Sequence, residues 1–181
     1  KSYLGGTLFE FFFKQNKIEE FIDFAKKNKI DIIEISDGTI DIDFNKKLEL
    51  IEFLKKKFKV ITEIGSKLSN HSFAEKEVNQ AIRCLKAGSW KIIFEGRESG
   101  TIGIYNTDKT VRVKSVQNIL KSFKGIEDKI IWETPVKSQQ AWFINKLGNQ
   151  VNLGNIPLFD VISLETLRMG LRSDTFHKFN K

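Results

Sequence analysis

A single cysteine, Cys84, rules out an intrachain disulfide framework. It lies in a helical pattern with Val78, Ala81, Ile82 and Leu85, and such cysteine usage suits a reducing cytoplasm. The two histidines, His71 and His177, stand far apart, and no Cys/His spacing fits a zinc site. No Ser/His/Asp arrangement is evident. The longest apolar runs fall well short of the roughly 20 residues of a membrane span, and no stretch resembles a signal peptide. A membrane association is therefore not expected. No glycine-rich dinucleotide fingerprint follows a first strand.

What remains is ordinary in bulk. The chain has 181 residues, 40% of them hydrophobic and 29% charged, enough for one domain over 1–181 with a sizeable core. The net charge of +7 invites a nucleic-acid reading. The lysines, however, fall on helix backs and in loops, as in Lys26-Lys27 and Lys55-Lys56-Lys57. They read as solvated faces, and nucleic acid is not an expected partner.

Four short apolar runs each end on a glutamate: Asp31-Ile-Ile-Glu34, Val60-Ile-Thr-Glu63, Lys91-Ile-Ile-Phe-Glu95 and Lys129-Ile-Ile-Trp-Glu133. The glutamates lie 29, 32 and 38 residues apart, the length of one strand plus one helix. A carboxylate at the end of a buried strand is costly unless it binds something. The repeat reads as an acidic cluster at one mouth of a barrel.

Amphipathic helices alternate with these runs. The first carries Ile18, Phe21, Ile22 and Ala25. The second carries Leu48, Ile51, Leu54 and Phe58. The third opens on the capping pattern Ser72-Phe-Ala-Glu75 and stops at Gly88. A fourth carries Val116, Ile119, Leu120 and Phe123, and a fifth runs from about Ser138 to Gly148. A last strand, Gln150-Val-Asn-Leu153, precedes a helix around Ser163 to Leu171. Such alternation means a parallel α/β sheet. Polar residues end every strand rather than one switch point, which favours a (β/α)8 TIM barrel over a doubly wound sheet. Six strands are present if Ser2-Tyr3-Leu4 ends the first. The expectation is an incomplete barrel, strands three to eight, with roughly 60–70 residues of earlier units absent. On that count the chain by itself is expected to be unstable and inactive.

Several groups can carry chemistry. Strand-end carboxylates suit Mg²⁺, a hard cation that prefers oxygen, and general acid–base work. The loop Gly96-Arg97-Glu98-Ser99-Gly100 offers glycines for close backbone approach and an arginine fork for an anion. Lys67 follows Glu63 closely and is a candidate proton donor or anion clamp. The segments Thr134-Pro-Val-Lys137-Ser138-Gln139-Gln140 and Asn152-Leu-Gly154-Asn155 occupy the loops where barrels often hold phosphate. Ser138 is there a candidate N-cap. Gly5-Gly6-Thr7 marks either a tight turn or a close ligand approach. Phe9-Glu-Phe-Phe-Phe13 is read as helix packing rather than a stacking platform.

Taken together, the blocks Gly5–Glu10, Glu34-Ile-Ser-Asp-Gly38, Thr62-Glu-Ile-Gly65 with Lys67, Glu95–Gly100, Lys137-Ser-Gln-Gln140, Val151-Asn-Leu153 with Asn155, and Val161–Arg168 with Gly170-Leu-Arg172 and Asp174-Thr-Phe176 resemble the phosphosulfolactate synthase family. The resemblance runs nearly end to end. It implies a (β/α)8 lyase that adds sulfite to phosphoenolpyruvate with Mg²⁺, giving (R)-2-O-phospho-3-sulfolactate on a route to coenzyme M. It departs from the family in lacking the first two βα units and in having Ser66 beside Lys67.

On these grounds Lys67, Glu63 and Arg97 are expected to be catalytic, and Glu34, Glu95 and Glu133 to hold metal. Thr7, Glu98, Ser99, Lys137, Ser138, Gln139, Asn152 and Asn155 are expected to bind substrate anions. Small-molecule substrates, and at most further copies of the chain, are the expected partners. A non-enzymatic heat-stress-associated homologue and a barrel lyase acting on another phosphorylated carboxylate remain open beside this reading.

Overall fold

A computed structural model describes residues 2–65, 75–96 and 99–179. They fall into two compact units, one made of the described residues up to Ile93 and the other of those from Phe94 on. Lys67, Arg97, Glu98 and the Ser72 capping pattern lie outside the described residues.

The first unit alternates as its sequence pattern predicts. Helix α1 (Thr7–Lys14) and helix α2 (Ile18–Lys27) precede strand β1 (Ile32–Ile35). Helix α3 (Phe44–Leu54), strand β2 (Lys59–Ile64), helix α4 (Glu75–Ala87) and strand β3 (Lys91–Phe94) follow. The Phe9–Phe13 run forms α1 and does pack: Phe9 is fully buried, 5.6 Å from Phe21 ring to ring, and Phe12 lies 5.8 Å from Phe21. Helix α3 starts where the Asp43 carboxylate accepts from the Asn45 and Lys46 amides at 3.0 and 3.1 Å, satisfying two otherwise orphaned donors. β1 and β2 pair in parallel, with Glu34 opposite Ile61. The strand expected at Ser2–Leu4 is reduced to a single parallel bridge, in which Leu4 brackets Ile33 through bonds to Ile32 and Glu34.

The second unit contains helix α5 (Val113–Ser122), strand β4 (Ile130–Glu133), helix α6 (Lys137–Leu147), strand β5 (Leu153–Gly154), helix α7 (Val161–Arg168) and helix α8 (Ser173–Phe179). Its core is an aromatic row. Phe94 lies 5.7 Å from both Phe123 and Trp132, and Trp132 stacks on Phe143 at 4.9 Å. β4 and β5 pair in parallel.

Three expectations need correction. The last strand is Leu153–Gly154, not Gln150–Leu153. The Arg168 guanidinium donates to the Asn149 and Val151 carbonyls, so the chain before β5 is a braced turn that joins the ladder only at the Asn152 carbonyl, which accepts the Trp132 amide at 3.0 Å. The terminal helix is two helices. Gly170, at φ 69°, ends α7 in a left-handed turn closed by Gly170 N–H to Leu167 O and Leu171 N–H to Thr166 O. Ser138 is not an N-cap, because α6 already begins at Lys137 and Val136 holds the cap position. Among the described residues no helix is long and apolar enough to cross a membrane.

Candidate active site

The carboxyl ends of the strands carry the glutamates, and all four are packed in. Glu34, Glu63 and Glu95 are buried and Glu133 is half-buried. Buried carboxylates need partners, and the structure shows them for Glu34 in the first unit and Glu133 in the second.

In the first unit Glu34 is the third residue of β1. Side chains alternate along a strand, so Ser36 returns to its face. The Ser36 hydroxyl donates to Glu34 Oε1 and itself accepts the Gly6 amide at 2.8 Å. The loop after β1 is then fixed twice more. The Asp37 carboxylate accepts from Lys47 Nζ at 2.8 Å, and both oxygens of the buried Glu10 take the Thr39 amide and hydroxyl. Lys47 is itself buried and also donates to the Glu63 carbonyl at 2.7 Å, so one ammonium joins α3, the loop after β1 and the end of β2. Asp37 Oδ1 is buried with no hydrogen-bond partner among the described residues. Cys84 lies close enough to feel both charges. Burial, above all, pushes its thiol up to about 11, which leaves it a neutral core side chain.

In the second unit the Gly96 amide donates to Glu133 Oε2 at 2.8 Å. The buried Tyr105 donates its hydroxyl to the Glu133 carbonyl at 2.5 Å. Burial, and secondarily the Glu133 charge, raises that phenol far above its usual value. Thr134 Oγ1, the next residue on, is buried with no hydrogen-bond partner among the described residues. Gln139 Nε2 donates to the carbonyls of Gly100 and Lys109 at 2.9 and 3.0 Å, tying the loop after β3 to the start of α6.

The glycines at these strand ends are explained by contact. A Cβ on Gly5 would lie 2.2 Å from the Glu34 Cβ. One on Gly96 would lie 2.5 Å from Tyr105 Cε2 and 2.9 Å from the Glu133 carbonyl oxygen. In both units a glycine leaving one strand makes room for the glutamate of the next.

The other expected residues divide by place. Thr7 opens α1 and is exposed. Ser99 pairs with Thr101, hydroxyl to hydroxyl, at 2.8 Å. Lys137 and Ser138 are exposed in the first turn of α6, and Lys137 Nζ lies 2.8 Å from Asp174, whose carboxyl it holds below the usual range. Asn155 follows β5 in a left-handed conformation. Asn152 sits elsewhere. Its amide donates to the Asp128 and Ile130 carbonyls at 2.9 Å each, at the amino end of β4.

The sequence reading missed Ser36, Lys47 and Tyr105. Two had signals. Ser36 follows Glu34 by two, the strand period, and Lys47 falls on the stripe of Ile51 and Leu54 at i+4 and i+7. Tyr105 had none.

Among the described residues no three His, Cys, Asp or Glu side chains gather as a metal cage. Mg²⁺ commonly takes one or two carboxylates and completes its shell with water and substrate oxygens. The donor set at these strand ends is oxygen alone, which suits such a cation.

Fold and strand ends define an α/β protein with buried and half-buried glutamates at the carboxyl ends of parallel strands. Comparison with known proteins goes further. The model of a family described as (2R)-phospho-3-sulfolactate synthase (ComA) matches residues 1–174. Phosphosulfolactate synthase of Bacillus subtilis (strain 168) is 41% identical over 177 residues, covering 96% of this chain and 70% of the relative. Those of Methanothermobacter thermautotrophicus and Methanocaldococcus jannaschii are 39% and 40% identical, each covering 98% of this chain and 70% and 72% of the relative. The chain belongs to the phosphosulfolactate synthase family, a family of enzymes.

Proposed function

We propose that the chain is the greater part of a Mg²⁺-dependent phosphosulfolactate synthase. Its strands would be the third to eighth of a (β/α)8 barrel. The observation that carries this reading is the family match over residues 1–174 in a chain with buried or half-buried glutamates at the ends of β1 to β4.

The reaction forms one C–S bond. Sulfite sulfur attacks C3 of phosphoenolpyruvate, the C2–C3 π electrons move onto the carboxylate, and a proton is delivered to C2. Nothing leaves, and the product is (R)-2-O-phospho-3-sulfolactate, which would open a route to coenzyme M. Lys67 is the proposed proton donor, supported by its place after Glu63 and by the family resemblance. Arg97 and Lys137 would hold the anionic groups, with Thr7, Glu98, Ser99, Ser138 and Asn155 around them. Glu34, Glu95 and Glu133 are the carboxylates from which the metal would draw its ligands. When bound, the metal supplies positive charge where the enediolate develops. The single buried cysteine suits a cytoplasmic setting.

The test is an assay of phosphoenolpyruvate with sulfite, with and without Mg²⁺, in this chain and in a form extended to its relatives' length. The expected result is a sulfonated phosphate ester, seen by phosphorus NMR and mass, that needs both sulfite and Mg²⁺. Consumption of phosphoenolpyruvate with another nucleophile but not sulfite, or no consumption in the extended form, overturns the reading.

A further inference from the structure

The turn after Leu4 grips Glu34 at both ends of its side chain. Leu4 donates its amide to Ile32 and accepts that of Glu34, so the two backbones are in register. Gly5 lies against the Glu34 Cβ so closely that only a glycine fits. The next amide, that of Gly6, donates to Ser36 Oγ at 2.8 Å, and the Ser36 hydroxyl donates to Glu34 Oε1. Ser36 is fully buried and Glu34 is 7% exposed, so water does not compete freely for this bond.

A serine hydroxyl has one proton and two lone pairs. With the Gly6 N–H occupying a lone pair, the proton is directed to the carboxylate. Glu has three side-chain torsions, and leaving them loose would cost rotamer entropy at the moment of ligand binding. A hydroxyl fixed from behind by the main chain removes that cost in advance. The same hydroxyl answers two needs, since without it the Gly6 amide also loses its acceptor.

We infer that Ser36 is a positioning residue that sets the Glu34 carboxylate for the ligand it meets. The inference rests on the reading of Glu34 as a metal-binding carboxylate. Outer partners of this kind typically change metal affinity or activity by about 10–100-fold when removed.

The probe is Mn²⁺, titrated into the full chain and followed by electron paramagnetic resonance, in wild type, Ser36→Ala, Glu34→Gln and the double variant. Thermal melts run alongside. Ser36→Ala should bind Mn²⁺ about 10–100-fold more weakly. Ser36→Thr, which keeps the hydroxyl, should restore binding. In the Glu34→Gln background, Ser36→Ala should cost nothing further, because the two act as one unit. If Ser36→Ala does not fold, Ser36→Cys keeps the volume with a weak donor and should show the same loss.

Unchanged affinity in Ser36→Ala, an equal loss in the Glu34→Gln background, or no Mn²⁺ binding by the wild type overturns the inference. The synthase reading fails separately. Absence of sulfite-dependent turnover with the Ser36–Glu34 coupling intact refutes the reaction and leaves Ser36 in its role. Turnover without the coupling does the reverse.

Discussion

Gly96 and Glu133, 37 residues apart in the chain, hold each other: the glycine amide donates to the carboxylate at 2.8 Å. The absence of a side chain on Gly96 lets Tyr105 close over the pair. Gly5 and Glu34 repeat the arrangement in the first unit, with Ser36 completing it. Glu133 is thus set by a main-chain donor and Glu34 by a serine hydroxyl that a main-chain donor holds, each beside a glycine packed against it.

Gly96→Ala tests this directly. The added methyl would stand 2.5 Å from Tyr105 Cε2 and 2.9 Å from the Glu133 carbonyl oxygen, and the second neighbour is backbone. Overpacking of this sort costs about 1–3 kcal/mol. Urea unfolding should show that loss, and a variant as stable as wild type would mean the loop shifts freely.

Tyr105 makes stability sensitive to alkali. Its folded pKa is raised above the ordinary 10.0, by burial first and the Glu133 charge second. The unfolded chain therefore releases this proton at lower pH than the folded one, and stability falls as pH rises through and beyond about 10. Below that the contribution is fully present. Tyr105→Phe should lose about 1–3 kcal/mol at neutral pH, because the Glu133 carbonyl loses a buried donor. It should then decline less steeply than wild type above pH 10. Parallel unfolding curves from pH 7 to 11 check both parts.

Lys47→Met should be the most damaging of these changes. It leaves the half-buried Asp37 without its cation and removes a donor from the Glu63 carbonyl. Breaking a buried pair from one side costs about 3–5 kcal/mol. Lys47→Met with Asp37→Leu should recover a good part of that, since no unpaired charge remains. Denaturant melts of the two variants decide it.

Lys137 separates structure from function. Its bridge to Asp174 is exposed on both sides, and such pairs contribute about 0–1 kcal/mol. The depressed Asp174 carboxyl means that this small contribution is present at neutral pH and is lost as acid protonates it. Lys137→Ala should hardly change the melting temperature. If Lys137 holds a substrate anion, its KM should rise about tenfold or more, the effect of losing one charge-assisted contact. A wild-type KM would leave Lys137 with its surface bridge alone.

The sequence announced the parallel α/β alternation because β1 to β4 are short apolar runs and α2 to α5 keep their apolar stripes. It also placed a glutamate at the end of four runs. It misjudged β5 because Val151 and Asn152 look like strand residues, while Arg168, some 17 residues on, folds back and takes the carbonyls of their turn. It gave no sign that the Asn152 amide braces the start of β4. Side-chain donors acting on distant carbonyls leave no periodic trace.

The amino-acid order alone determined which residues lie at strand ends, since period and spacing are local properties of the chain. The tertiary structure decided what holds them. Gly5 to Glu34, Gly6 to Ser36, Gly96 to Glu133 and Lys47 to Glu63 are contacts between segments far apart in sequence. Burial makes each of those contacts necessary, because a carboxylate or ammonium taken out of water must be met by a partner.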